Sequence, residues 1–276
     1  MVDEAAFKLL IEHQLDNGVH GLVPCGTTGE AATLTAQERA RVIALCVETV
    51  AGRRPVIAGC GSASTAEAIA AVRHAKAVGA DAALVVTPYY NRPGQAGLLA
   101  HFRAIADAVA LPLILYNVPA RTGQDLSVET AAALAAHPNI IGLKDATGDL
   151  SRVQRHLQAC GPEFVLFSGD DPSQVGFAAQ GGAGCISVTS NVAPGLSAAL
   201  QEACLRGDFA QARAIDAALA PLHRALFLEP SPAPAKFACS VLGLCGEALR
   251  LPLVPVSEPV REAVRAAMRH AGLDAA

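Results

Sequence analysis

Lysine is scarce in this chain: four residues, at positions 8, 76, 144 and 236, among 276. Acidic side chains outnumber basic ones, 25 to 21, and the net charge of −4 is scattered. With no basic stripe, nucleic acid is not an expected partner. No stretch approaches the ~18 consecutive apolar residues of a membrane span, so no membrane partner is expected. Met1-Val2-Asp3-Glu4 offers neither a basic segment nor an apolar one, and no signal peptide is expected. The eight cysteines contain no Cys-x-x-Cys pair and several fall in strand and helix cores, as reduced residues of a cytoplasmic protein would. The eight histidines show neither His-x-His nor His-Glu-x-x-His spacing, so no metal site is expected. Low-complexity linkers and internal repeats are also lacking.

What is present is apolar and periodic. Hydrophobic residues make up 52% and charged residues 17%, enough for a sizeable core and against disorder. The length suits one large α/β barrel or two small domains. Apolar runs near 19–24, 55–59, 82–87, 112–116, 140–144, 164–168 and 184–188 predict strands. Helical patterns lie near 3–16, 35–50, 64–78, 95–108, 127–136, 149–159, 172–180 and 194–205. Apolar strands alternating with helices imply a parallel sheet buried on both faces. From about residue 206 only helices are predicted, near 208–220, 232–243 and 257–272. The expected division is therefore a (β/α) barrel over 1–205 and a helical region over 206–276. Seven strands fall one short of a (β/α)8 barrel, and the first predicted element is a helix. Either the sheet is open and doubly wound, or a first strand is missing ahead of residue 3.

Lys144 closes the strand Ile140-Ile141-Gly142-Leu143-Lys144. An ammonium group ending a buried strand must be paired or desolvated, and desolvation favours the neutral amine that Schiff-base chemistry needs. An isolated lysine of this kind is more often a snorkelling or salt-bridged one. The neighbouring strand ends argue otherwise. Past them lie Gly26-Thr27-Thr28-Gly29-Glu30, Thr87-Pro88-Tyr89-Tyr90-Asn91-Arg92-Pro93, Tyr116-Asn117-Val118-Pro119-Ala120-Arg121-Thr122-Gly123 and Ser168-Gly169-Asp170-Asp171. Polar groups, including all three tyrosines, thus gather where α/β enzymes build their sites. The Thr27-Thr28 turn reads equally as a tight βα turn or as a carboxylate cradle. Tyr116 reads as a core aromatic or a reactive phenol, and Arg121 as a loop cap or a carboxylate clamp. Asp171, before Pro172, reads as a helix N-cap, as does Asp149. Gly59-Cys60-Gly61-Ser62 lacks the third glycine of a dinucleotide fingerprint, and no cofactor is expected.

The segments GTTGE (26–30), PVIAG (55–59), VTPYYNRP (86–93), YNVPARTG (116–123), IIGLKDATGDL (140–150), SGDD (168–171) and ISVTSNV (186–192) resemble the dihydrodipicolinate synthase (4-hydroxy-tetrahydrodipicolinate synthase) family of pyruvate-dependent class I lyases. The resemblance covers about residues 3–270. It implies a (β/α)8 barrel with a C-terminal helical extension, assembled as a homotetramer of two tight dimers. It also implies condensation of pyruvate with aspartate semialdehyde on the way to lysine and diaminopimelate. By resemblance, Lys144 forms the imine and Tyr116 carries protons, with Thr27 linking it to Tyr90 of a neighbouring subunit. Thr28, with Thr27, holds the pyruvate carboxylate. Arg121 binds the carboxylate of the semialdehyde, and the backbones of Gly169 and Ile186 shape the pocket around the lysine. A tyrosine of ordinary pKa ~10 suits the relay, because it stays neutral while adjacent hydroxyls pass the proton onward.

The chain departs from the family pattern in places. Family chains open with a strand carrying a Thr-Pro motif, so the strand missing from the count is the one the comparison also lacks. Asp145 stands where Glu is frequent, and Ser231-Pro232-Ala233-Pro234 replaces a bulkier stretch. At the lysine-feedback site Glu67 and Tyr89 are kept, but Arg39 and Ala63 replace histidine and asparagine, so lysine inhibition is not expected. Two other functions stay open: a sibling pyruvate-dependent aldolase using another aldehyde, and an inactive truncated homologue. Arg121 argues against the sibling, because sialic-acid lyases lack it.

Overall fold

The computed structural model describes residues 2–273. In chain order its main elements are α1 (Glu4–Asp16), α2 (Ala36–Val50), β1 (Ile57–Gly59), α3 (Thr65–Ala77), β2 (Ala82–Val86), α4 (Gln95–Ala108), β3 (Leu113–Asn117), α5 (Pro119–Thr122), α6 (Val128–Ala135) and β4 (Ile140–Asp145). They continue with α7 (Ser151–Cys160), β5 (Val165–Ser168), α8 (Gln174–Ala179), β6 (Gly184–Cys185), α9 (Pro194–Leu205), α10 (Phe209–Ala225), α11 (Ala233–Val241) and α12 (Glu258–His270). None of the helices is long and apolar enough to cross a membrane, among the described residues.

The chain divides into two compact units, one of Pro55–Ile186 and one of Met1–Arg54 with Ser187–Ala276. All six strands lie in the first. They are parallel and ordered β1-β2-β3-β4-β5-β6, each beside its sequence neighbour. An open doubly wound sheet would reverse its order at a switch point; consecutive order with a helix after each strand is barrel topology. Burial follows. All of β3 is buried, and Ala83, Val85, Leu113, Leu115 and Leu143 are fully covered, as expected of strands buried on both faces. Gly142 is required in β4 by close approach: a Cβ there would collide with the Val165 carbonyl oxygen.

The helices begin where short polar side chains can satisfy their first N–H groups. Ser64 accepts from the Glu67 N–H ahead of α3, and Ser127 accepts from Thr130 ahead of α6. In the second unit Thr35 and Glu38 form a reciprocal capping box at α2. The same unit holds α1 and α9 to α12. There α10 continues through Pro221 to Ala225, beyond the expected end near 220. Leu219, Leu222, Ala225 and Leu226 are all buried, and that packing outweighs the hydrogen bond lost at the proline.

Other expectations need correction. The run at 19–24 forms only a one-residue bridge at Leu22, because Pro24 and the left-handed Cys25 (φ 57°) turn the chain away from extended pairing. The run at 184–188 shrinks to Gly184–Cys185. Asp170, rather than Asp171, caps the turn at 171–173, its carboxylate accepting from the Ser173 N–H, while Asp171 is buried. Asp149 does bond the Ser151 N–H and hydroxyl at the start of α7.

Candidate active site

The parallel register of β3 and β4 places Tyr116 beside Lys144 and Asn117 beside Asp145. Both members of the first pair are buried, with exposures of 6% and 8%. The Lys144 Nζ stands 4.3 Å from the centre of the Tyr116 ring, over its face, so the aromatic quadrupole and the amine interact directly. On the other side of the lysine is Gly169, whose N–H donates to the Asp145 carbonyl at 2.7 Å. A Cβ at Gly169 would meet the Ala146 Cβ at 2.6 Å and the Lys144 Cε at 2.8 Å. Glycine is therefore what leaves room for the lysine stem. Ile186 continues this edge, its N–H donating to the Ser168 carbonyl at 2.9 Å.

The Cys185 Sγ lies 4.0 Å from the Asp171 Oδ1. Burial, helped by the Asp171 charge, pushes this thiol well above its ordinary value, while the Lys144 charge and a Ser168 contact oppose the shift only in part. Cys185 is thus a neutral wall residue and a poor nucleophile.

Arg121 sits on the short helix α5, exposed, and no acid pairs with it among the described residues. The loop that follows is held carbonyl by carbonyl. Gly123 accepts from the Arg92 Nε (2.9 Å), Gln124 from the Thr122 hydroxyl (2.9 Å), Asp125 from the Gln95 amide (2.8 Å) and Leu126 from Arg152 Nη2 (2.8 Å). Thr87, fully buried past β2, donates its hydroxyl to Thr122 at 3.2 Å. A loop so bound carries its free guanidinium as a preorganised group.

Behind the strand ends lies a charge network, buried at Asn117 and Asp145 and open to solvent at Asp125. Arg152 donates through Nε to Asp145 (2.9 Å) and through Nη1 to Asp125 (3.2 Å). Asp125 accepts in turn from the Asn117 amide (2.8 Å), and the Asn117 Oδ1 accepts from the Leu126 N–H (3.0 Å). The His156 Nε2 is 3.7 Å from Asp145, too far for a direct hydrogen bond. Burial pushes the Asp145 carboxyl up, but His156, Thr147 and the Arg152 charge outweigh it and hold the group below its ordinary value. A depression of about 290 Å³ opens over Arg152, lined by Pro119, Ala120, Asp125, Ala146, Thr147 and Asp149. It begins past the end of β4 and does not include Lys144.

Thr27 and Thr28 belong to the other unit, half-buried on a single turn at Thr27–Gly29. The next residue, Glu30, accepts from the Lys236 Nζ at 2.6 Å and from the Arg250 N–H at 3.2 Å, which anchors that turn to the helical region. Tyr90 is 94% exposed, and its φ of 71° is one that non-glycine residues rarely adopt. Lys144, Tyr116, Gly169 and Ile186 therefore share one set of adjoining strand ends, with Arg121 just past β3. The contributions of Asn117, Asp125 and Arg152 went unread in the sequence. Asn117 and Asp145 lie inside recognisable motifs, but Arg152 carries no sequence signal distinguishing it from any polar helix residue.

Among the described residues, no group of three histidine, cysteine or acidic side chains could hold a metal ion. Residues 1–271 match the dihydrodipicolinate synthetase family. The 4-hydroxy-tetrahydrodipicolinate synthase of Phenylobacterium zucineum is 60% identical over 272 residues, 99% of this chain and 92% of that one. The crystal structure of dihydrodipicolinate synthase from Aquifex aeolicus superposes with a TM-score of 0.97 at 43% identity, covering 99% and 93% of the two chains. The chloride-inhibited dihydrodipicolinate synthase of Acinetobacter baumannii, complexed with pyruvate, gives 0.97 at 45% identity, covering 99% and 94%. With matches spanning both units, the chain belongs to the dihydrodipicolinate synthetase family.

Proposed function

We propose that this protein is a 4-hydroxy-tetrahydrodipicolinate synthase, condensing pyruvate with L-aspartate 4-semialdehyde in the route to lysine and diaminopimelate. The observation that carries this reading is the buried Lys144 amine set 4.3 Å from the Tyr116 ring at the end of adjacent parallel strands. The neutral amine adds to the pyruvate ketone, water leaves, and the resulting imine draws electrons from the methyl group. Loss of a methyl proton gives an enamine, whose carbon attacks the aldehyde and forms the new carbon–carbon bond. The amino group of the semialdehyde then displaces Lys144 from the imine carbon and closes the ring. Tyr116 moves the protons these steps require, with Thr27 and Tyr90 of a neighbouring subunit as the remainder of the relay. Thr27 and Thr28 hold the pyruvate carboxylate, Arg121 holds that of the semialdehyde, and Gly169 and Ile186 shape the space at the lysine.

The reading includes a homotetramer of two tight dimers working in the cytoplasm. Tyr90 supports the assembly: a large aromatic, nearly fully exposed and held in a left-handed conformation, is costly unless something uses it. Eight free cysteines support a reducing compartment. Borohydride reduction in the presence of pyruvate tests the chemistry. The expected product is a reduced pyruvyl adduct on Lys144 in the peptide map; an adduct on Lys8, Lys76 or Lys236, or none, refutes the reading.

A further inference from the structure

We propose that Arg152 is a positioning residue for the second substrate: it sets the Arg121 loop against the strand that carries Lys144. The proposal rests on the reading of Lys144 and Arg121 given above. Arg152 uses three nitrogens on three partners. Nε binds the Asp145 carboxylate at the end of β4, Nη1 binds Asp125, and Nη2 binds the Leu126 carbonyl. Asp125 passes the constraint to Asn117 at the end of β3, one residue after Tyr116. Asn117 returns it to the same loop through the Leu126 N–H. One guanidinium thus ties together the ends of the strands bearing Tyr116 and Lys144 and the segment four to five residues after Arg121.

The chemistry of this arrangement is specific to arginine. Its planar fork reaches acceptors set around three nitrogens, whereas a lysine ammonium holds its three donors on one nitrogen and cannot span the same spread. The Arg152 side chain is 11% exposed and the Asp145 side chain 5%, so water replaces these bonds poorly. Asp125 is 47% exposed, so its replacement should cost the fold less than that of Arg152. Arg152 itself touches no reacting atom in the proposed chemistry; its effect is transmitted through the loop.

The test uses the full-length enzyme with Arg152→Lys and Asp125→Asn, each alone and in an Arg121→Ala background. KM is measured for both substrates, and pyruvate is trapped on Lys144 with borohydride. The expected result is a rise of roughly 10-fold or more in KM for the semialdehyde, a KM for pyruvate within about 2-fold of the parent, and undiminished trapping. In the Arg121→Ala background the same changes should add little, because their effect passes through the residue already removed. Should Arg152→Lys fail to fold, Asp125→Asn decides alone. Equal changes in both KM values, no change in either, or full additivity with Arg121→Ala overturns the proposal. Failure of the parent enzyme to trap pyruvate on Lys144 is a different result, overturning the underlying reading as well.

Discussion

Gly169→Ala isolates the lysine pocket with a single carbon atom. Gly169 does not have a left-handed φ, so alanine is conformationally acceptable there and the effect is steric. The added Cβ would lie 2.8 Å from the Lys144 Cε and 2.6 Å from the Ala146 Cβ, against about 3.4 Å for ordinary contact. Ala146 is tied to the backbone, with its Cα at 3.2 Å, so relief there takes a small backbone shift, while the flexible lysine stem yields by rotation. Reaching normal contact requires roughly 0.6 Å of movement at Cε, and more at Nζ if the stem rotates. Overpacking of this kind costs about 1–3 kcal/mol of stability, and misplacement of a reacting group approaching 1 Å costs on the order of 10²-fold in rate. The expected outcome is a protein that melts a few degrees lower, with imine formation slowed on the order of 10-fold or more. Rapid-quench borohydride trapping at saturating pyruvate, read by intact mass, measures the rate, and thermal melts measure the stability. Trapping at the parent rate in a folded variant would show that Gly169 does not bound the lysine's working space.

Tyr116→Phe keeps the ring face under the Lys144 amine and removes only the hydroxyl. Imine formation should remain detectable while turnover falls about 10²-fold or more, the scale of a lost proton carrier; steady-state assay beside trapping decides, and unchanged turnover removes Tyr116 from the relay. Arg121→Ala should raise KM for the semialdehyde far more than that for pyruvate, and equal effects would make Arg121 structural. His101 is buried on α4, with Nδ1 2.8 Å from the Thr65 hydroxyl, and burial pulls its pKa down to about 4. The unfolded chain takes up that proton near pH 6.5 and the folded chain does not, so this residue's contribution is fully present above 6.5 and declines until about pH 4. Urea melts at pH 7 and pH 4.5 should therefore show a smaller difference for His101→Gln than for the parent; an unchanged difference refutes this.

The βα alternation was legible because parallel strands covered on both faces are apolar nearly throughout, and the runs at 82–87, 112–116 and 140–144 are so up to their last residues. Helix starts were legible from Thr35, Ser64 and Ser127, whose hydroxyls bond within three residues of themselves. The short α5 and the single bridge at Leu22 were not, since neither is long enough to carry a period. The choice between Asp170 and Asp171 as the cap turned on backbone angles that two identical side chains cannot reveal.

Within the site, residue identity by itself determined the chemistry on offer. One lysine ends a strand, tyrosines and threonines follow the strand ends, and an arginine follows YNVPA. Those residues carry their reactivity in their own functional groups, and a strand places them at its C-terminal end whatever surrounds it. Only the tertiary structure decided which groups face one another: the Lys144 amine over the Tyr116 ring, the bare Cα of Gly169 against the lysine stem, and Arg152 spanning Asp145, Asp125 and Leu126. These contacts join positions up to 28 residues apart. They depend on the register of β3 against β4 and on the packing of α7 behind them, which no local pattern of residues encodes.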